Sequence, residues 1–167
     1  MGNVGDVSDD SNWVARIDGF WSTFDENDPA AMLEGMRALV EQRDAGDALA
    51  LAEWGGVHDA LGLEEEAVAH YRLALAAGLD AIHEHRVTLQ LASTLRNLGE
   101  YEQAISLLRD LDAPELGGAP AAFLALALHS AGRADEALEV ALTALAPHLP
   151  RYQRAVLGYA ADLRRQD

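Results

Sequence analysis

The stretch TLRNLGEYEQAISLL, residues 94–108, decides how the chain folds. Leu95 and Leu98 close one helical pattern, Gly99 interrupts it, and a second pattern containing Ala104 and Leu108 begins. Glycine just past a helix takes the left-handed backbone conformation that ends the helix, with no Cβ to oppose it. The acids behind it, Glu100 and Glu102, suit the positive N-terminal end of the next helix. The chain therefore reverses into a helical hairpin.

The same punctuation surrounds Gly62 and Gly132, which lie 37 residues before and 33 residues after Gly99. Acids follow each glycine, in GLEEEA, GEYEQA and GRADEA. Five residues after each stands alanine (Ala67, Ala104, Ala137); nine after stand Tyr71, Leu108 and Ala141, and twelve after stand Ala74, Leu111 and Ala144. Eight before each lies a large apolar residue (Trp54, Leu91, Leu124), and seven before lies a small one (Gly55, Ala92, Ala125). The alanines fall where the second helix of each hairpin crosses the first, where a bulkier side chain would push the axes apart. A lone hairpin leaves an apolar face uncovered, so neighbouring hairpins are expected to stack.

Over about residues 47–148 these units resemble tetratricopeptide repeats, with Trp54, Gly55, Gly62, Ala67, Tyr71 and Ala74 carrying the best match. The segment RVTLQLASTLRNLGEYEQAISLL, with AVAHYRLALAAGLD before it, also resembles a bacterial subgroup of short repeat proteins. Thr88 and Ala121 depart from the pattern where a bulky residue is usual, and Leu79 stands where a proline commonly follows the second helix. The resemblance implies an all-α, right-handed α-α superhelix in which the first helix of each hairpin lines a concave groove. It also implies a non-enzymatic scaffold for protein–protein interaction.

The expected organisation is a disordered N-terminus over 1–10, a degenerate hairpin over 11–45, three repeats at about 47–80, 84–113 and 118–148, and a capping helix over 149–167. In the degenerate hairpin Trp13, Ile17, Phe20, Trp21 and Phe24 form one apolar stripe of a helix capped by Ser11 or a neighbouring Asp. The stripe is expected to pack on the first repeat; the runner-up is a homodimer seam through this aromatic helix. Asp28 and Pro29 open a second helix with Leu33, Met36, Leu39 and Val40 facing inward. At the other end, Tyr152, Val156, Leu157 and Tyr159 mix with Arg151, Arg154, Arg164 and Arg165, a composition suited to capping the last repeat.

Composition excludes several classes. There is no cysteine, so disulfides and thiolate metal sites are absent, and all twelve basic residues are arginine. The net charge of −16 opposes binding to nucleic acid or anionic membrane. Residues 1–66 hold sixteen acids against three arginines, so the charge is concentrated in the N-terminal part. With no long apolar run and a polar, acidic start, a cytoplasmic location is expected.

Catalytic motifs are missing. His83 and His85, two residues apart, point to nearly opposite sides of a helix and do not share a metal; Asp80, on the side of His83, reads as a helix cap. No cofactor, metal or enzymatic activity is expected. A more promising surface lies on the middle repeat, where Arg86, Gln90, Ser93 and Asn97 fall at i, i+4, i+7 and i+11. This polar stripe is bordered by Arg96 and opposes an apolar face of Val87, Leu91, Leu95 and Leu98. The resemblance implies that this stripe faces the concave groove and adds Asp59, Phe123, His129 and Ser130 from the adjoining repeats to the same hollow. Arginine and amide groups there could hold the backbone or terminal carboxylate of an extended peptide, with Phe123 as an apolar contact.

Overall fold

One turn geometry occurs three times. Gly62, Gly99 and Gly132 have φ of +72°, +84° and +79°, and each donates its N–H three residues back, to Asp59, Arg96 and His129 at 3.0, 3.1 and 3.0 Å. The residue after each glycine donates five residues back, to His58, Leu95 and Leu128, every time at 2.9 Å. This pair of bonds closes the last carbonyls of a helix. The same residue (Leu63, Glu100, Arg133) then accepts from Ala67, Ala104 and Ala137 at 3.0, 3.1 and 3.0 Å, which starts the next helix. Stop and start thus share one backbone position, with no side-chain cap.

The computed structural model describes residues 4–163 and 165, and among them it is all-α, with no strand. The chain divides into two compact units, Met1–Leu79 and Asp80–Asp167.

The first unit contains α1 (Val4–Ser22), α2 (Pro29–Val40), α3 (Ala48–Ala60) and α4 (Glu64–Ala77). Asp28 caps α2 by accepting from Ala31 N–H at 3.1 Å, with Pro29 in the first turn. Asp47 does the same for α3 through Ala50 N–H at 2.9 Å. Trp13, Ile17, Met36, Leu39, Ala50 and Val57 form the core, with Phe20, Trp21 and Phe24 packed against it. The aromatic stripe of α1 is therefore consumed inside the unit. Both indoles are tethered as well: Trp13 Nε1–H donates to the Leu39 carbonyl at 2.9 Å, and Trp21 Nε1–H to Glu53 at 2.6 Å. Between α3 and α4, Gly55 lies directly beneath the fully buried ring of Tyr71.

The second unit contains α5 (Ala81–Asn97), α6 (Tyr101–Asp110), α7 (Ala119–Ser130), α8 (Ala134–Leu145) and α9 (Gln153–Leu163). Short 3-10 turns over Pro114–Leu116 and Ala146–His148 join α6 to α7 and α8 to α9. Each helix packs on the next, and α5 also packs on α7, the first helix of the following hairpin. Val87, Leu91, Leu95, Ala104, Ile105, Leu108 and Leu128 are buried. An ionic cluster ties α6 to α8: Arg133 holds Glu136 at 2.5 Å, which also takes Arg109 at 2.9 Å.

The crossing alanines behave as their spacing requires: Ala67 and Ala104 are fully buried and Ala137 nearly so. The third hairpin is thinner, since Ala141 is exposed where Tyr71 and Leu108 are buried. Two sequence expectations need correction. α1 runs from Val4, with residues 1–3 outside the described residues, so Ser11 lies inside the helix and is not its cap. Leu98, expected in the core, is 39% exposed because it is the last residue before the Gly99 turn, beyond the reach of the packed face.

Candidate functional site

The candidate site is built on α5, whose ends are both firmly closed. Asp80 accepts from the N–H groups of Ile82 and His83 at 3.0 and 3.1 Å, and the Gly99 turn seals the other end. Its inward face, Val87, Leu91, Leu95 and the buried Thr94, fixes which side is left outside. Thr94 Oγ1–H returns to the Gln90 carbonyl at 2.9 Å, so this hydroxyl stays within its own helix. What faces outward is the polar stripe.

Arg86, Gln90 and Asn97 are exposed, and Ser93 is half-buried. Arg96 is half-buried too; its Nη2 donates to Asn97 Oδ1 at 2.9 Å, while its Nε is buried and finds no hydrogen-bond partner among the described residues. On α7, which packs against α5, Phe123 is half-buried and His129 and Ser130 stand exposed in the last turn. These eight residues thus belong to two neighbouring helices of one unit. Asp59 is different. It lies on α3 in the first unit, where its carboxylate accepts from the Tyr71 hydroxyl at 3.3 Å. Burial, reinforced by that carboxylate, pushes the Tyr71 phenol far above its ordinary pKa, so it remains a neutral donor.

The paired histidines have carboxylate neighbours. His83 Nδ1 lies 2.6 Å from Asp80 and His85 Nδ1 lies 2.6 Å from Glu115. Hydrogen bonding from His83, chiefly through its backbone N–H, holds the Asp80 carboxyl below the usual range, and the His85 contact does the same for Glu115. No group of three His, Asp or Glu among the described residues is placed to hold a metal. Nor is any described helix long and apolar enough to cross a membrane.

A second cluster was not anticipated from the sequence. In the first unit the rings of Trp54 and His58 meet edge to face at 4.6 Å, and His58 and His70 lie 5.5 Å apart. His58 Nδ1–H donates to the Trp54 carbonyl at 2.7 Å, and the Arg37 guanidinium sits 5.8 Å over the Trp54 ring. Burial lowers the His70 pKa, as does His58, while Glu66 opposes both. The Trp54–His58 spacing of four residues was visible in the sequence; the meeting with His70 depends on how α4 lies along α3. Chemically this cluster offers two imidazoles and an aromatic wall, whereas α5 offers guanidinium and amide groups, which bind carboxylates and peptide backbone.

A family model described as a tetratrico peptide repeat matches residues 48–163, which covers α3 through α9. No curated protein matches the chain.

Proposed function

Because the chain belongs to the tetratricopeptide repeat family, whose members are generally non-enzymatic scaffolds for protein–protein interaction, we propose that it binds an extended peptide or protein segment along the outer face of α5. The observation that carries this reading is Arg96. Its Nε is withdrawn from solvent without a partner, beside the exposed Arg86, Gln90 and Asn97. A buried donor left unpaired is costly, and a ligand carbonyl or carboxylate would satisfy it. Phe123, His129 and Ser130 on α7 extend the surface and add an apolar contact. Asp59 is left out, because its carboxylate already serves Tyr71.

A displayed library of random peptides, selected on the wild-type chain and re-measured on Arg86→Ala plus Arg96→Ala, tests the reading. Charged hydrogen bonds contribute about 1.5–3 kcal/mol each, so selected peptides should lose about tenfold or more in affinity. Peptides that bind both proteins equally would remove α5 as the site.

A further inference from the structure

The C-terminal helix carries the strongest unpartnered surface. Tyr152, just before α9, and Tyr159, within it, are 76% and 70% exposed. Leu157 is exposed as well, while Ala160 faces inward. Tyr152 has φ of +70°, a conformation that is an outlier for a bulky residue. Backbone strain retained to present a ring to solvent points to a use for that ring. Arg151 and Arg154, near neighbours of Tyr152 in sequence, are exposed, and Arg165, also exposed, is paired with Asp162. Four of the chain's twelve arginines fall in residues 149–167, against two acids. This is a basic, aromatic plug on a protein of net charge −16.

The first unit carries its complement. One hollow of about 500 Å³ runs along α2 over Ala30, Leu33 and Ala38, with Glu34 and Glu41 on its rim. Another, of about 310 Å³, has Val40, Ala50, Leu51 and Trp54 as walls, with Glu41 and Asp44 on its rim. Glu41 borders both, and Glu34, Glu41 and Asp44 are exposed. The arginines nearby are already engaged. Arg43 pairs with Asp47 at 2.8 Å and lies 5.0 Å over Trp13, while Arg37 lies over Trp54. The result is a trough with an apolar floor whose edge carries Glu34, Glu41 and Asp44 together with the engaged Arg37 and Arg43.

We propose that this trough receives the α9 face of a second copy of the same chain, so that copies associate head to tail. Apolar floor meets tyrosine and acidic rim meets arginine, the residue types that dominate the centres of protein interfaces. Because plug and trough are different surfaces, a single contact leaves one of each free for a further copy. This association uses neither the α5 face nor the aromatic stripe of α1.

Sedimentation of the full chain tests it. At about 50 mM salt the weight-average mass should exceed the 17.9 kDa protomer and rise with concentration, then return towards the protomer at about 500 mM salt as the charges are screened. Tyr152→Ser plus Tyr159→Ser should give a protomer, and so should Glu34→Arg plus Glu41→Arg. Mixed together, these two variants retain one intact trough and one intact plug, so they should form a dimer and nothing larger. Circular dichroism and unfolding midpoints like those of the wild type separate lost association from lost fold. Should charge reversal unfold the first unit, Glu34→Gln plus Glu41→Gln replaces it in the same mixing experiment. A wild-type chain that stays at the protomer mass throughout, or variants that remain protomers when mixed, overturns the proposal.

Discussion

The space a methyl group would need on Gly55 is already filled by the ring of Tyr71, whose Cδ1 would lie 2.8 Å from the added carbon. Tyr71 is fully buried and its hydroxyl is bound to Asp59, so the ring has nowhere to retreat. Gly55→Ala would gain about 1 kcal/mol of helix propensity and lose more to overpacking, which costs about 1–3 kcal/mol. The expected outcome is net destabilisation, read as a lower urea midpoint. A double-mutant cycle with Tyr71→Ala should show strong coupling, because the smaller partner makes room for the methyl.

Gly158 provides the opposite sign. It lies inside α9, and a Cβ there would meet nothing within 4 Å. Gly158→Ala should therefore stabilise by about 0.5–1 kcal/mol. Gly99→Ala should destabilise by about 1–2 kcal/mol although its surroundings are just as empty, because its φ of +84° opposes any Cβ. Thermal melts of the two variants, moving in opposite directions, check the pair.

Trp13→Phe keeps most of the apolar volume but deletes the N–H that the buried Leu39 carbonyl accepts. Loss of one partner of a buried hydrogen bond costs about 1–3 kcal/mol. Denaturant unfolding of this variant should show that loss with an unchanged slope.

Stability should also fall in mildly acidic solution. The folded-state pKa of His70 is lowered, first by burial and then by His58, so the unfolded chain binds more protons at this site just below the ordinary histidine value of about 6.5. The stabilisation is complete above that pH and is lost as pH falls through the folded-state pKa. Urea midpoints measured at falling pH should decline for the wild type and decline less for His70→Gln.

Much of the architecture was written in short-range chemistry. Gly62, Gly99 and Gly132 announced the reversals because only glycine is at ease at such φ angles, and Ala67, Ala104 and Ala137 announced the close crossings. Asp28 before Pro29 announced a helix start, and Asp80 another. Periodicity also placed Arg86, Gln90 and Asn97 on the outer side of α5. Features that depend on tertiary contact were out of reach. The capture of Asp59 by Tyr71 and the meeting of His58 with His70 both arise from the register of α4 against α3. The left-handed backbone of Tyr152 had no signal at all, since tyrosine is among the last residues expected there.

The position after each turn glycine is leucine, glutamate or arginine, at Leu63, Glu100 and Arg133, and the turn is the same in all three because only main-chain atoms build it. The turn itself is indifferent to the side chain attached there, even where that side chain is used elsewhere, as Arg133 is. In a chain without cysteine, a single thiol introduced at Leu63 or Glu100 would be unique and outward-facing. A fluorophore or spin label carried there would report on each unit separately, from a side chain that the turn does not need.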